Sequence, residues 1–283
     1  MAKPKKDKPK KTNKPTLAEQ ADKYVCYQKS VQEPEHEIVF FDKAYKDAFG
    51  SKKAVHLRED FCGTFAVCCE WVKSSPKRTA LGIDLDPEPL QWGKDNNLAK
   101  LNDEQQKRLR LIEQDVRQRN RPQADILAAQ NFSFWLFKSR EAVIEYFKVA
   151  RSNLATQGLM VMDMMGGGEC LEEDHKDVRT IEKGKKGFKY IWTQVSHNPI
   201  NHDATFTISF KFKDGSKLDP AFTYEWRFWS IPEVMEMLRE AGFSESHVYW
   251  EVTDEHGEET GEWHRATEAP SDPSWVCYIV AVK

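Results

Sequence analysis

The stretch AVHLREDFCGTF, residues 54–65, decides the fold. Ala54 to Leu57 form a short apolar strand that runs into the acid pair Glu59 and Asp60. Cys62, Gly63 and Thr64 then make a small-residue turn into a helical pattern that runs from Thr64 through Val72, where Ser74, Ser75 and Pro76 end it. Strand, acid, tight turn and helix in that order describe the first βα unit of an open α/β sheet whose strand ends face a nucleoside.

Downstream the same rhythm repeats. TALGIDLD, residues 79–86, is a nearly continuous apolar run of the kind buried on both faces of a parallel sheet, and it ends in Asp84, 25 positions after Glu59. A helix is expected from about Pro87 to Leu101, with strands at 109–116 (LRLIEQDV) and 124–131 (ADILAAQN). Ser139 opens a helix with Val143, Tyr146, Phe147, Ala150 and Leu154 on one face and Gly158 as its stop, and LMVMDMM at 159–165 is the next strand. Strict alternation of strand and helix implies right-handed crossovers and a parallel sheet.

The period then changes to two. In ATFTISFKFK, residues 204–213, Phe206, Ile208, Phe210 and Phe212 alternate with polar neighbours, Asp214-Gly215 offers a turn, and AFTYEWRFW at 221–229 alternates again. Residues 166–228 therefore read as an antiparallel, β-rich cap inserted after the fifth strand. Ser230 and Glu233 make a capping-box pattern ahead of Val234, Met237 and Leu238, and Gly242 closes that helix. A strand at about His247 to Val252, an acidic loop and the strand WVCYIVAV at 275–282 complete the chain.

Upstream of the motif, Leu17, Ala21, Tyr24, Val25 and Tyr27 start an amphipathic helix that Pro34 interrupts, and a second helix covers Glu35 to Phe49 with Gly50 as its stop. These helices, residues 16–50, either pack against the sheet or close over the cofactor site. Residues 1–14 carry seven lysines against Asp7. A tail of that composition, residues 1–15, buries too little apolar surface to offset its ordering entropy and is expected to be disordered. It either solubilises the protein or touches nucleic acid or an acidic partner.

Composition bounds the function classes. No apolar run approaches the roughly 20 residues of a membrane helix, and the lysine-rich start lacks the apolar segment of a secretory signal, so a cytoplasmic protein is expected. The six cysteines include no CxxC, which fits reduced, mostly buried thiols, and no metal is expected. Monomer and homodimer remain equally open.

In a doubly wound sheet, ligands bind beyond the carboxyl ends of the strands. Those ends carry Glu59 and Asp60, then Asp84 and Asp86, then Asp115, then Gln130 and Asn131. An acid ending the second strand suits a ribose diol, because a carboxylate accepts from both hydroxyls. Asp115 and the backbone N–H of Val116 suit the amino group and a ring nitrogen of adenine. A dinucleotide pyrophosphate requires three glycines in GxGxxG, and this turn has only Gly63. ATP lacks its GxxxxGK[ST] loop here. S-adenosylmethionine carries no phosphate and a cationic sulfonium, which a carboxylate-lined site favours.

At these residues the chain resembles the class I S-adenosylmethionine-dependent methyltransferases, over roughly residues 20–283. Aligned on Cys62-Gly63-Thr64, Glu59 takes the acidic place of their first motif and Gly63 the central glycine, while Phe61 and Phe65 stand at the outer glycine places; LREDFCGT is similar to a variant of one bacterial-type branch. GIDLDPEPL resembles the second motif, QDV the third and ADILAAQN the fourth. The resemblance implies a Rossmann-like seven-stranded sheet of order 3-2-1-4-5-7-6 with strand 7 antiparallel. It also implies a cofactor set of Arg58, Glu59, Asp60, Gly63, Thr64, Asp84, Leu85, Asp115, Val116, Gln130 and Asn131. Asp84 can instead be a helix cap, Asp115 a solvated loop acid, and Arg58 either a partner of the acid pair or a clamp on the methionine carboxylate.

The expected function is transfer of a methyl group to a small-molecule acceptor. An RNA or protein acceptor and a non-catalytic cofactor-binding protein are the alternatives. NFSFWLF at 131–137 lacks the NPPY-type sequence of enzymes that methylate a flipped base. Candidates for assisting transfer are Tyr24, Tyr27, Asn131, Tyr224 and Arg227, with Trp135, His197 and His202 also near the sheet edge.

Overall fold

The apolar runs of the sequence lie side by side in one sheet. The computed structural model describes residues 14–182, 184, 187–254, 256–257 and 259–283. Strands β1 (His56–Asp60), β2 (Thr79–Asp84), β3 (Leu109–Glu113), β4 (Ala124–Ala129) and β5 (Leu154–Gly166) form its parallel part. β12 (Trp275–Val282) runs antiparallel beside β5, β10 (Glu245–Thr253) runs antiparallel to β12 and so in the direction of β5, and an outer strand β11 (Glu259–Ala266), antiparallel to β10, completes it. The order is β11-β10-β12-β5-β4-β1-β2-β3. This is the expected doubly wound 3-2-1-4-5-7-6 arrangement with one strand added. The added strand, β11, falls in the expected acidic loop: it is an edge strand in which Trp263 alone of residues 260–266 is buried, too little apolar alternation to mark a strand.

The four-stranded antiparallel sheet comprises β6 (Lys176–Ile181), β7 (Phe188–His197), β8 (Asp203–Phe212) and β9 (Lys217–Arg227). β8 and β9 match the alternating stretches. β6 and β7 carry no clear period-two signal, because β6 is exposed along nearly its whole length and β7 mixes Gln194 into its inner face. Across the ladders Trp192 faces Ile208, Gln194 faces Phe206, and Phe206 faces Tyr224, so one side of this sheet is an aromatic surface.

Helices α3 (Pro34–Phe49), α4 (Ala66–Ser74), α5 (Pro87–Asn96), α7 (Arg140–Asn153) and α8 (Ile231–Glu240) cover the main sheet, joined by short turns and α6 (Asp103–Gln106). α3 ends at Gly50 and α8 begins at the Ser230–Glu233 capping box, both as expected. The helix opened by Ser139 stops at Asn153 rather than Gly158, since β5 starts five residues earlier than its apolar run and pairs Leu154 with Ala124. The helix expected before Pro34 is two, α1 (Leu17–Gln20) and α2 (Lys23–Val31), because Asp22 caps a new start by accepting from the N–H groups of Tyr24 and Val25. The lysine tail lies outside the described residues except for Lys14 and Pro15. All six cysteines are free, and all but Cys170 are buried.

Candidate active site

β1 runs three residues further than its apolar stretch, through Asp60, so the acid pair sits inside the sheet rather than beyond it. Strand alternation sends the two carboxylates to opposite faces. Glu59, 4% exposed, accepts from the N–H of Cys68 at 2.9 Å and caps the first turn of α4, and burial pushes it to about 7. Asp60, 1% exposed, accepts from Arg58 Nε at 2.6 Å and from the Tyr146 hydroxyl at 3.1 Å. The Arg58 guanidinium donates further to the carbonyls of Val116 and Gln118 and to Asn120 Oδ1. At 2% exposure it pins the loop after β3. Arg58, Glu59 and Asp60, expected in the cofactor set, are all buried here: β1 pairs with β2 through Asp60 and with β4 through Glu59.

The turn itself is left-handed at alternate positions, with φ of 57° at Phe61, 49° at Gly63 and 49° at Phe65. The two phenylalanines hold a backbone that glycine adopts freely, at a cost of roughly 1–2 kcal/mol each. Phe65 is fully buried, and its ring fills the space that a side chain at Gly93 of α5 would need. Phe61 packs on Tyr146 and Phe137, with ring centroids 5.6 and 6.1 Å apart. Neither ring closes the turn, and open space lies where a Cβ on Gly63 would point. The Gly63 N–H donates to Asp84 Oδ2 at 2.6 Å, which ties the first turn to the end of β2.

Asp84 is half-buried, and its carboxylate accepts from the N–H groups of Gly63 and Asp86. A carboxylate offers about four acceptor positions, so capacity for two hydroxyls remains. Its role as cap of α5 falls instead to Asp86, which accepts from Glu88 N–H. Leu85 beside it is 67% exposed. Val116 is buried, while Asp115 is half-buried and engaged by the backbone and guanidinium of Arg117, which holds its carboxyl below the ordinary range. Thr64 Oγ accepts from Gln28 of α2 at 2.8 Å, so the N-terminal helices do reach this turn. Gln130 and Asn131 follow β4; Asn131 takes φ 58° and its N–H, with that of Phe132, donates to Asp163 of β5 at 2.8 and 2.9 Å.

Beside Asn131 opens a cavity of about 700 Å³ between the main sheet, the start of α3 and the aromatic face of the four-stranded sheet. Tyr27 and Tyr224 both line it. Tyr24 lies outside it, packed on Trp92 and Phe222. Arg227 stacks over Trp229 at 3.9 Å and donates to the Lys138 carbonyl, away from the cavity. His197 and His202 bond each other at the far end of that sheet, and Trp135 is wholly buried. Glu37, Asp163 and Gln194, none of them among the candidates expected from the sequence, also line the cavity. The signals were present. Asp163 is the lone acid in LMVMDMM, and Glu37 shares the apolar face of α3 with Phe41 and Ala44.

No family model and no curated protein matches the chain. Solved structures do. An amino pentose methyltransferase from Micromonospora echinaspora, CalS10, superposes with a TM-score of 0.65 at 13% identity, over 92% of this chain and 95% of that one. The chain has the fold of the S-adenosylmethionine-dependent methyltransferases. The sugar N-methyltransferase KedS8 from a Streptoalloteichus species gives 0.62 at 13% identity over 100% and 98% of the two chains. DesVI of Streptomyces venezuelae gives 0.65 at 12% identity over 92% and 95%.

Proposed function

We propose that the protein transfers a methyl group from S-adenosylmethionine to a small molecule held in the cavity under the four-stranded sheet. The observation that carries this reading is the shared turn: Asn131, two residues past the end of β4 at the carboxyl edge of the sheet, also lines the cavity. A volume of about 700 Å³ is of the size that encloses a small ligand. The structural neighbours named for amino pentose and sugar acceptors agree with it. The RNA or protein alternative rests on the lysine tail alone. The non-catalytic alternative rested on Phe61 and Phe65, and both rings pack away from the turn.

When bound, the cofactor supplies an electrophilic methyl group on a cationic sulfur. The residues that would hold it are Asp84 at the ribose hydroxyls, the Val116 N–H with Asp115 at the adenine, the Gly63 turn with its open side, and Gln130 with Asn131 toward the methionine end. What this chain contributes beyond binding is alignment and dryness: the cap and α2 enclose the acceptor so that it meets the methyl group in line and away from water.

The test is calorimetry with S-adenosylhomocysteine followed by transfer from methyl-labelled cofactor to metabolite, RNA and protein fractions. Binding with labelling of the metabolite fraction is expected, and Asp84→Ala should weaken binding by about tenfold or more, as loss of charged hydrogen bonds does. Absence of cofactor binding, or labelling of RNA or protein instead, would overturn the proposal.

A further inference from the structure

Two of the carboxylates that line the cavity, Glu37 and Asp163, are hydrogen-bonded without an ion pair, while the lining cations Lys29 and Arg179 pair with Glu182 and Asp177. Glu37 of α3 accepts from the Tyr278 hydroxyl at 3.0 Å and from the Gln130 amide, and Asp163 accepts from two backbone N–H groups. Among the described residues neither has an ion-pair partner. The groups facing Glu37 from other elements are Asp163 on β5, Glu59 on β1, Tyr278 on β12 and Gln130 after β4, while His36 beside it accepts from the Trp263 indole. Burial, with the Asp163 charge adding to it, pushes Glu37 to about 8, and burial pushes Asp163 to about 6.

A second, independent feature points to a ligand. Gln194 of β7 is 2% exposed, lines the same cavity, and neither its amide oxygen nor its amide nitrogen has a hydrogen-bond partner among the described residues. A buried amide left unpaired is unfavourable unless a ligand both donates to it and accepts from it, as a hydroxyl does. Around these groups stand the rings of Tyr27, Trp192, Tyr224 and Trp226, whose electron-rich faces attract a cation.

We propose that the methyl acceptor is an amine nitrogen on a hydroxyl-bearing small molecule, that Glu37 takes the proton from that nitrogen, and that Gln194 orients the molecule through a hydroxyl. The inference rests on the small-molecule methyltransferase reading above. The substrate ammonium gives its proton to the Glu37 carboxylate. The lone pair so freed forms the new N–C bond as the C–S bond of the sulfonium donor breaks, and that bonding pair stays on sulfur. Positive charge passes from sulfur to nitrogen, where Asp163 and the aromatic faces stabilise it. A carboxyl raised toward the range of an amine exchanges a proton with it far more evenly than an ordinary glutamate would.

Full-length protein and methyl-labelled S-adenosylmethionine are incubated with a small-molecule cell extract, one half of which has its amines acetylated with acetic anhydride in aqueous bicarbonate. Labelling is expected in the untreated half and about tenfold less in the acetylated half. Equal labelling of both halves overturns the amine while leaving the methyltransferase reading standing. No labelling of either half overturns that reading and this inference with it. Glu37→Gln should still bind S-adenosylhomocysteine within about twofold, lose about a hundredfold in transfer at neutral pH, and recover as rising pH supplies free amine. Loss of S-adenosylhomocysteine binding would assign Glu37 to the cofactor instead, and unchanged transfer would remove it from the reaction. Gln194→Leu should raise KM by about fivefold or more with kcat nearly unchanged; an unchanged KM overturns its orienting role.

Discussion

Arg58 and Asp60, two residues apart on β1, show how one strand position separates a structural ion pair from a binding one. Both side chains are buried, and the guanidinium also satisfies two carbonyls of the loop after β3. Removing one partner of such a pair leaves an uncompensated charge in the interior. Arg58→Ala is therefore expected to cost about 3–5 kcal/mol in urea-induced unfolding, with part of the loss recovered in the double variant with Asp60→Ala. A loss under about 1 kcal/mol would show that Asp60 finds water or another partner. The identity of both residues was legible in LREDFCGT, but their direction was not. That depended on where β1 stops, and the stop is set by pairing with β2 and β4 rather than by the residues themselves.

At the scale of elements, α1 and α2 act as a strap between the two sheets. The N–H groups of Leu17 and Ala18 donate to Asp214 and Ser216 in the β8–β9 turn, Gln28 holds Thr64, and Lys29 pairs with Glu182 at 2.8 Å. Asp22 is the joint: it caps α2 and accepts from the Trp92 indole at 2.6 Å. Asp22→Ala should lose about 1–2 kcal/mol of local stability, read as faster amide exchange in α2 with slower change in the main sheet. Uniform acceleration across both would mean that the strap does not open on its own. Tyr24 and Tyr27 stand three residues apart on one face of α2 and both pack on Phe222, yet only Tyr27 lines the cavity, because Tyr24 sits a turn nearer the start of α2, against Trp92.

For the whole molecule, the buried acids predict an acid-favouring stability profile. Glu37 at about 8, Glu59 at about 7 and Asp163 at about 6 all lie above their ordinary values of 4.5, 4.5 and 3.8. Between those ordinary values and the raised ones, the unfolded chain has released protons that the folded chain still holds. Stability of the ligand-free protein therefore falls as pH rises across that window. Melting temperature should decline from about pH 5 to about pH 8, and Glu37→Gln should flatten the upper part of the curve. A melting temperature that rises over this range would show that these carboxyls are ionised and solvated in the folded state.

Much of the architecture followed from local pattern. Continuous apolar runs marked buried parallel strands, period two marked β8 and β9, and Ser139, Ser230 and Gly50 marked helix ends, since each is a property of a few neighbouring residues. The single glycine in LREDFCGTF and the acid at Asp84 indicated a nucleoside edge for the same reason. Only the tertiary structure decided what the cavity contains. Glu37, Asp163 and Gln194 come from positions far apart in the chain, on α3, β5 and β7, and each looks ordinary beside its sequence neighbours. Among the described residues Glu37 and Asp163 have no ion pair and the Gln194 amide has no hydrogen-bond partner, a combination that exists only once the two sheets and the first long helix enclose the same space.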